Sequence, residues 1–350
     1  MNNSIASGSR RTTKKRNTFD FLNILVASWS GSRRMREKLA KLETQAVLIV
    51  LLGLFSVHGA EEKRMEKKLR ALSPEEARVI LHKGTEKPFT GQYEKSKEPG
   101  VYTCRQCGAA LYRAEDKFIA HCGWPAFDDE IPEAVRRETD ADGRRTEILC
   151  ASCGGHLGHV FLGEALTQKN VRHCVNSISM DFVPEKNLDI PFKRAVFAGG
   201  CFWGVEYYLQ QAKGVIRAVS GYTGGHKEDP TYEEVCGKKT GHVEAVEVLY
   251  DPQQTDFETL ARLFFEIHDP TQASGQGPDL GEQYLSVLFY KTPEEKAVAE
   301  KLIGLLKAKG FQVVTRVEPA KKFWKAEKYH QDYYFVKGKQ PYCHRREKRF

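Results

Sequence analysis

Four of the nine cysteines occur as two closely spaced pairs, in the stretches "CRQC" and "CASC". Cys104 pairs with Cys107 and Cys150 with Cys153, and 42 residues separate the two pairs. Four thiolates at this spacing fit a closed tetrahedral zinc site. Two disulfides are the alternative, but each pair is too close in sequence to bridge comfortably within itself. A closed site leaves no free coordination position, so we expect zinc to hold the fold without taking part in chemistry.

Two further thiols, Cys122 and Cys174, lie on either side of the histidines His156 and His159 in the sequence. Imidazole can activate a thiol and transfer protons near neutral pH, so this set is a candidate active site. The alternative is that Cys174 is a buried strand cysteine and that the histidines are ordinary hydrogen-bonded polar groups. The close spacing of three more side chains favours the active site: Trp124, Arg172 and Asn176.

A second candidate nucleophile, Cys201, stands in the stretch "AVFAGGCFWGVE". Gly199 and Gly200 allow the backbone to turn sharply and place Cys201 at the start of a helix. The helix dipole and the free amides there are expected to lower the pKa of the thiol. Phe202 and Trp203 follow as an apolar wall that suits a methyl thioether.

Three more residues bear on this site. Glu244 lies in "EAVEVLY", where strand alternation predicts an outward carboxylate; burial beside Cys201 would instead raise its pKa, as a proton donor requires. Cys343 stands in the glycine-containing end "KGKQPYCHRREKRF", and a thiol on a flexible tail can reach a distant partner. Cys236 fits a small core residue better than a reactive thiol.

These residues need elements to position them. Ser73 and Pro74 predict the start of a helix. From Gly100 to Val183 the sequence has short strand-like stretches broken by glycine and proline, which indicates a small antiparallel β domain. The stretch "PEKNLDIPFK", with prolines and charges, predicts a linker at residues 184–192. After it, strands and helices alternate, so the second half is predicted to be α/β or α+β.

The first 60 residues differ in composition from the rest. The formal charge of the chain is +8, but ten Lys/Arg against three acids in this segment leave the remainder nearly neutral. Nucleic-acid binding is therefore not expected. The apolar run 46–57 follows basic residues and is too short for a typical membrane span, so it predicts a signal peptide and an exported protein. A membrane anchor or a cytoplasmic protein are the alternatives, and translation could start at Met1 or Met35.

The motifs "GTEKPFTGQY", "HCGWPAF", "GHLGHVF" and "RHCVNS", with the two cysteine pairs, resemble methionine sulfoxide reductase B over residues 70–183. The resemblance implies a zinc-stapled β fold with Cys174 as the attacking thiol and Cys122 as the resolving thiol. It implies that Trp124 holds the substrate methyl group. It also implies that four further residues line the sulfoxide pocket: His156, His159, Arg172 and Asn176.

The motifs "GGCFWGVE", "GYTGG", "PTYEEV", "TGHVEAVEV" and "GPDLGEQY" resemble methionine sulfoxide reductase A over residues 193–350, including the tail. The resemblance implies an α+β sandwich with a ferredoxin-like core, in which Cys201 attacks and Cys343 resolves. It implies that Glu244 protonates the sulfoxide oxygen, that Tyr232 and Tyr284 donate hydrogen bonds to it, and that Asp279 lies beside them.

Together the resemblances imply a repair enzyme that reduces the S epimer in the Cys201 domain and the R epimer in the Cys174 domain. Each thiolate would become a sulfenic acid and then a disulfide, which an external dithiol such as thioredoxin reduces. Free or protein-bound methionine sulfoxide would be the substrate, and no flavin or nicotinamide motif is present. Two other functions use the same residues: a thiol peroxidase or disulfide exchanger, and a zinc-ribbon binding module fused to an unrelated α/β domain.

Overall fold

The computed structural model of the protein describes residues 69–141 and 143–350, and these residues belong to one compact unit. The predicted leader, with its apolar run 46–57, lies outside the described residues. Among the residues described, no helix combines the length and the apolar character needed to cross a bilayer.

The N-terminal half begins with helix α1 (Pro74–Ile80), which Ser73 caps as predicted. Ser73 and Glu76 cap it reciprocally, each side chain bonding to the other residue's backbone N–H. Nine strands follow: β1 (Gly100–Cys104), β2 (Ala110–Arg113), β3 (Lys117–Phe118), β4 (Ala126–Phe127), β5 (Val135–Thr139), β6 (Thr146–Cys150), β7 (His156–Leu162), β8 (Val171–Val175) and β9 (Met180–Pro184). They form two antiparallel sheets, in the orders β2-β1-β9 and β3-β4-β8-β7-β6-β5, which confirms the predicted β domain.

The C-terminal half contains the predicted alternation of strands and helices. Its elements are β10 (Lys193–Gly199), α2 (Phe202–Leu209), β11 (Val215–Thr223), α3 (Tyr232–Cys236), β12 (Val243–Tyr250), α4 (Phe257–Ile267), β13 (Gly275–Gln276), β14 (Asp279–Leu280), β15 (Ser286–Tyr290), α5 (Pro293–Ala308), β16 (Arg316–Pro319), β17 (Trp324–Lys325) and α6 (Tyr333–Lys337). The main sheet has the order β16-β15-β10-β12-β11-β17. Its four central strands, with α2 and α4 as connections, have the ferredoxin-like arrangement, which confirms that prediction.

Helices α2 and α4 pack on one face of this sheet because their apolar residues face it. Phe197 of β10 stacks on Phe264 of α4, with the ring centroids 5.3 Å apart, and both rings are buried. Leu260 and Val205 belong to the same buried cluster. The packing holds α2 against the ends of β10 and β12, where Cys201 and Glu244 lie.

The predicted linker at residues 184–192, which connects the two halves, is packed. A short 3-10 helix (Glu185–Asn187) is followed by Leu188, which is fully buried, and Phe192 is nearly so. Both join the core cluster of the N-terminal half, together with Ile216 and Leu249 of the C-terminal half. The two halves therefore share one cluster of buried apolar residues.

The C-terminal tail is also anchored, in contrast to the flexible end predicted from its sequence. The Tyr342 hydroxyl donates to Asp279, with 3.0 Å between the oxygens. Arg346 forms an ion pair with Glu266 at 2.9 Å, and the Glu347 N–H donates to the Glu266 carbonyl oxygen. These contacts fix the tail before and after Cys343.

Candidate active sites

The two cysteine pairs meet in one cluster in the N-terminal half. The four sulfur atoms all lie within 4.8 Å of one another. Cys104 Sγ is 3.6 Å from Cys153 Sγ, and Cys107 Sγ is 3.7 Å from Cys150 Sγ. Sulfurs bound about 2.3 Å from a tetrahedral zinc ion lie about 3.8 Å apart, so this donor set fits the metal. A disulfide needs about 2.05 Å, so the cysteines are not bridged in this arrangement.

A second thiol pair lies on the six-stranded sheet. Cys174 is on β8, and Cys122 is in the loop before β4; their sulfurs are 3.8 Å apart. Cys122 is also 3.4 Å from the carbonyl oxygen of Trp124. Both thiols are half-buried. The structure thus brings together the two cysteines that are 52 residues apart in the sequence.

These two thiols share a proton. The hydrogen bond from Cys174 lowers the pKa of Cys122 to about 6. The same hydrogen bond, followed by burial, raises the pKa of Cys174, whereas the nearby Arg172 guanidinium lowers it. The pair therefore carries one negative charge at neutral pH, because both sulfurs cannot ionise at this distance.

His156 is buried, and its ring is oriented by Glu147, an acid for which the sequence predicted no role. Its Nδ1 donates to Glu147 Oε1 at 2.7 Å, and Lys83 Nζ donates to Glu147 Oε2 at 2.7 Å. Burial lowers the pKa of His156, so the ring is neutral at physiological pH. Burial alone would raise the pKa of Glu147, but hydrogen bonds from Lys83 and His156 lower it. His156 Nε2 is buried and has no hydrogen-bond partner among the described residues.

The other predicted pocket residues surround the thiol pair. His159 lies opposite Cys174 in the strand register and donates from Nε2 to Asp140 at 2.8 Å. Arg172 forms a bidentate ion pair with Glu164 and lies over the Phe161 ring. Two further predicted residues are held by backbone groups: Asn176 Nδ2 donates to the Leu157 carbonyl oxygen at 3.0 Å, and the half-buried Trp124 donates to the Glu86 carbonyl oxygen at 3.1 Å.

In the C-terminal half, Cys201 lies at the start of helix α2 as predicted, in the N-cap position, and is 6% exposed. Gly200 has φ +96°, and a Cβ there would collide with Gln276, so this position requires glycine. Glu244 on β12 faces inward and accepts a hydrogen bond from the Phe202 N–H at 3.0 Å. Burial raises the pKa of Glu244 to about 8. A carboxyl group that is largely protonated at neutral pH therefore lies beside Cys201.

The tail brings Cys343 to the same place. The Cys343 and Cys201 sulfurs and an Asp279 carboxylate oxygen lie within 4.8 Å of one another. The neighbouring Cys201 thiol lowers the pKa of Cys343 to about 6. The Cys343 thiol, burial and the charge of ionised Glu244 raise the pKa of Cys201, and the Trp203 N–H offsets them only in part. The prediction that the helix start lowers the pKa of Cys201 is therefore wrong for the structure in which Cys343 lies beside it. The effect of the Cys343 thiol on this pKa is larger than the effect of the helix amides.

Aromatic side chains form the wall beside Cys201, as predicted. Phe202 is buried, whereas Trp203 is partly exposed and stacks on Tyr333 with the ring centroids 3.7 Å apart. Trp203 Nε1 donates to His330 Nδ1 at 3.0 Å, and the His330 ring also contacts Phe202. His330 is not among the residues predicted from the sequence, because it lies 127 residues away from Trp203 in the chain.

The two predicted tyrosines are neighbours of Glu244. Burial raises the pKa of Tyr232 and of Tyr284, and the Glu244 charge adds to both shifts. Both hydroxyls therefore remain hydrogen-bond donors at any physiological pH. Cys236, expected in the core, is half-buried at the end of α3, within hydrogen-bond reach of the Tyr232 hydroxyl.

The C-terminal half matches a family model. Residues 193–350 match the model described as peptide methionine sulfoxide reductase. Over 149 residues the chain is 48% identical to the peptide methionine sulfoxide reductase MsrA of Methanosarcina acetivorans; the match covers 42% of this chain and 79% of that protein. The reduced form of Mxr1 from Saccharomyces cerevisiae matches with a TM-score of 0.42 and 32% identity, covering 44% of this chain and 90% of that chain.

The N-terminal half matches a different model. Residues 72–184 match the model described as SelR domain. Over 122 residues the chain is 56% identical to the chloroplastic peptide methionine sulfoxide reductase B2 of Arabidopsis thaliana; the match covers 34% of this chain and 60% of that protein. The chain therefore belongs to the peptide methionine sulfoxide reductases, with a SelR domain preceding the domain of the MsrA type.

Proposed function

We propose how this enzyme, which reduces both epimers of methionine sulfoxide, divides the work: Cys201 reduces the S epimer and Cys174 the R epimer. The observation that carries the proposal is that each half places two thiols together beside a group that can carry a proton: Glu244 in one and His156 in the other. Because the sulfoxide sulfur is chiral, a pocket that aligns one epimer misaligns the other. Two pockets on one chain are then needed to repair both.

In the C-terminal half, the Cys201 thiolate attacks the sulfoxide sulfur. Transfer of the proton shared with Cys343 to the tail sulfur leaves Cys201 as the nucleophile. Glu244 gives its proton to the sulfoxide oxygen, while Tyr232 and Tyr284 donate hydrogen bonds to that oxygen. The protonated oxygen then moves to the Cys201 sulfur. A Cys201 S–O bond forms as the bonds from the methionine sulfur to oxygen and to Cys201 break, so methionine leaves and Cys201 becomes a sulfenic acid. Phe202 and Trp203 hold the substrate methyl group.

In the N-terminal half, Cys174 takes the same role, and Arg172 stabilises its thiolate. Protons pass through His156, whose buried Nε2 is free to bind one, and His159 supports it from the facing strand position. Trp124 and Asn176 complete the pocket. Cys122 then attacks the sulfenic acid to form a disulfide, because its sulfur already lies 3.8 Å away.

Three further features belong to the proposal. The Cys104, Cys107, Cys150 and Cys153 cluster would hold one structural zinc ion, which fixes the loops after β1 and β6 and takes no part in the reaction. Thioredoxin or a similar dithiol would reduce the two disulfides by thiol exchange. The apolar run 46–57 would direct the enzyme out of the cytoplasm, so the reductant there would be an exported or membrane-linked dithiol.

The experiment compares methionine sulfoxide and hydrogen peroxide as oxidants for the wild type and the double variant Cys174→Ser, Cys201→Ser. We expect the wild type to prefer the sulfoxide and the double variant to lose sulfoxide reduction entirely. A wild type that prefers peroxide would favour a thiol peroxidase, and a double variant with unaltered sulfoxide turnover would contradict the proposal.

A further inference from the structure

His344 follows the tail thiol in the sequence and touches its sulfur. His344 Nδ1 is 3.1 Å from Cys343 Sγ, and His344 Nε2 is 2.7 Å from the carbonyl oxygen of Gly199. The residue is only 4% exposed although it lies six residues before Phe350. A histidine in a basic terminal stretch is normally solvated, so its burial beside a reactive thiol requires an explanation.

One hydrogen bond fixes the protonation of one ring nitrogen. A carbonyl oxygen can only accept, so His344 Nε2 must carry a hydrogen. In the neutral ring Nδ1 then has a free lone pair, and that lone pair faces the Cys343 sulfur. His344 is therefore placed to accept a proton from Cys343 whenever that sulfur carries one.

The surroundings hold the ring in this position. A Cβ on Gly204 would collide with the imidazole, so α2 accepts the ring only because it has glycine there. The Tyr208 hydroxyl donates to the His344 carbonyl oxygen at 3.4 Å. The ion pair between Arg346 and Glu266 anchors the chain two residues further on.

The first half of the reaction makes this contact more important. In the resting enzyme the neighbouring Cys201 thiol does most to lower the pKa of Cys343, and His344 contributes as well. Once Cys201 has become a sulfenic acid, its thiol is no longer available. The described groups that remain around Cys343 include the acids Asp279 and Glu244, whose negative charges oppose thiolate formation. His344 is then the base in contact with the sulfur.

We propose that His344 is a catalytic residue of the resolving step, in which it moves the proton that this step must transfer. Nδ1 takes the proton of the Cys343 thiol, and the resulting thiolate attacks the sulfur of the Cys201 sulfenic acid. The S–S bond forms, the S–O bond breaks, and the protonated His344 returns the proton to the leaving oxygen, which departs as water. The sulfenic acid is the oxidant, so no other co-reactant is needed. The inference rests on the proposed roles of Cys201 and Cys343.

The test is a single turnover of reduced full-length enzyme with the S epimer, without external dithiol. Methionine release, trapping of the sulfenic acid by dimedone and formation of the Cys201–Cys343 disulfide are followed separately. His344→Gln is the main variant, because its side-chain amide can still donate to Gly199 but offers no base to Cys343. We expect disulfide formation to slow about 100-fold and the trapped sulfenic acid to accumulate, while methionine is released at the wild-type rate.

A second variant, His344→Ala, leaves a space that free imidazole can enter. Added imidazole should accelerate disulfide formation in this variant and not in the wild type. Disulfide formation at the wild-type rate in His344→Gln, equal slowing of both steps, or no response of His344→Ala to imidazole would each overturn the inference. If wild-type enzyme releases no methionine or forms no Cys201–Cys343 disulfide, the proposed function fails instead.

Discussion

The Phe202 backbone N–H donates a hydrogen bond to the Glu244 carboxylate, with 3.0 Å between the nitrogen and Oε2. This bond joins the first residue of α2 to the inward face of β12. One amide does not offset the loss of solvent around the carboxylate, so burial still raises the Glu244 pKa to about 8. The helix start thus positions an acid beside Cys201 and leaves it protonated.

The first prediction concerns the pH dependence of S-epimer reduction. Because Glu244 acts in its protonated form, turnover of the S epimer should fall as the pH rises through about 8. Glu244→Gln should lower turnover by roughly 100-fold or more and remove this limb of the profile. Glu247→Gln, on the same strand but paired with Arg194, is the matched control and should keep the wild-type profile. An unchanged profile in Glu244→Gln would contradict the assignment.

The same pKa also predicts an effect on stability. The folded-state pKa of Glu244 is raised above the unfolded value, so the folded state binds more protons between the two values, and stability falls as the pH rises through that window. Glu244→Gln removes this loss. Thermal unfolding should therefore show the variant more stable than the wild type at about pH 9, with the gain absent at about pH 4. A variant less stable than the wild type at the higher pH would be inconsistent with a buried acid.

In the N-terminal half, Glu147 should matter for R-epimer reduction. Glu147→Gln keeps a hydrogen-bond acceptor for His156 but removes the charge that stabilises the protonated ring. We expect turnover of the R epimer to fall roughly 10- to 100-fold and turnover of the S epimer to stay unchanged. Glu138→Gln, on the exposed facing position of β5, is the control and should leave both rates intact. Equal effects of Glu147→Gln and Glu138→Gln on R-epimer turnover would contradict this role of Glu147.

The cysteine cluster predicts a metal content that elemental analysis can measure. Wild-type protein should contain one zinc ion per chain, and Cys150→Ser should lose it together with R-epimer reduction and the N-terminal fold. Cys236→Ser, outside the cluster, should retain the metal. Zinc-free wild-type protein that keeps full R-epimer activity would contradict a structural metal.

The shared core predicts that the two halves unfold together. Asp251 of the C-terminal half is fully buried, and its carboxylate accepts a hydrogen bond from the Ala110 N–H of the other half at 2.9 Å. Asp251→Asn places an amide N–H2 near that donor or leaves it with a weaker acceptor. Denaturant titration should show a loss of about 1–3 kcal/mol in the free energy of unfolding. Asp189→Asn, a change at an exposed side chain of the connection, should alter the free energy of unfolding by less than about 0.5 kcal/mol.

Local sequence signals predicted the elements well, because capping residues, alternation and glycine positions act over a few residues. Ser73 caps α1, and Cys201 lies at the start of α2 after the glycine turn. The features that the sequence did not reveal depend on contacts between distant segments. In the sequence, Glu147 is one more charged residue of a strand, and only the folded structure places His156 of β7 against it. His344 belongs to a basic stretch that is expected to be solvated, and only the folded structure places it against α2.

The pKa of Cys201 shows the same limit. A helix start predicts a lowered value, yet Cys343 lies 142 residues further along the chain, and its sulfur reverses the direction of the shift. The packed connection is a second case. Its charges and prolines indicate a linker, but its Leu188 and Phe192 are buried in the core cluster to which both halves contribute.

The most direct test of the two-site account supplies separated R and S epimers to the wild type, to Cys174→Ser and to Cys201→Ser. The account predicts that the wild type reduces both epimers, that Cys174→Ser loses only the R epimer, and that Cys201→Ser loses only the S epimer. A single-cysteine variant that still reduces both epimers, or that loses both while remaining folded, would contradict it.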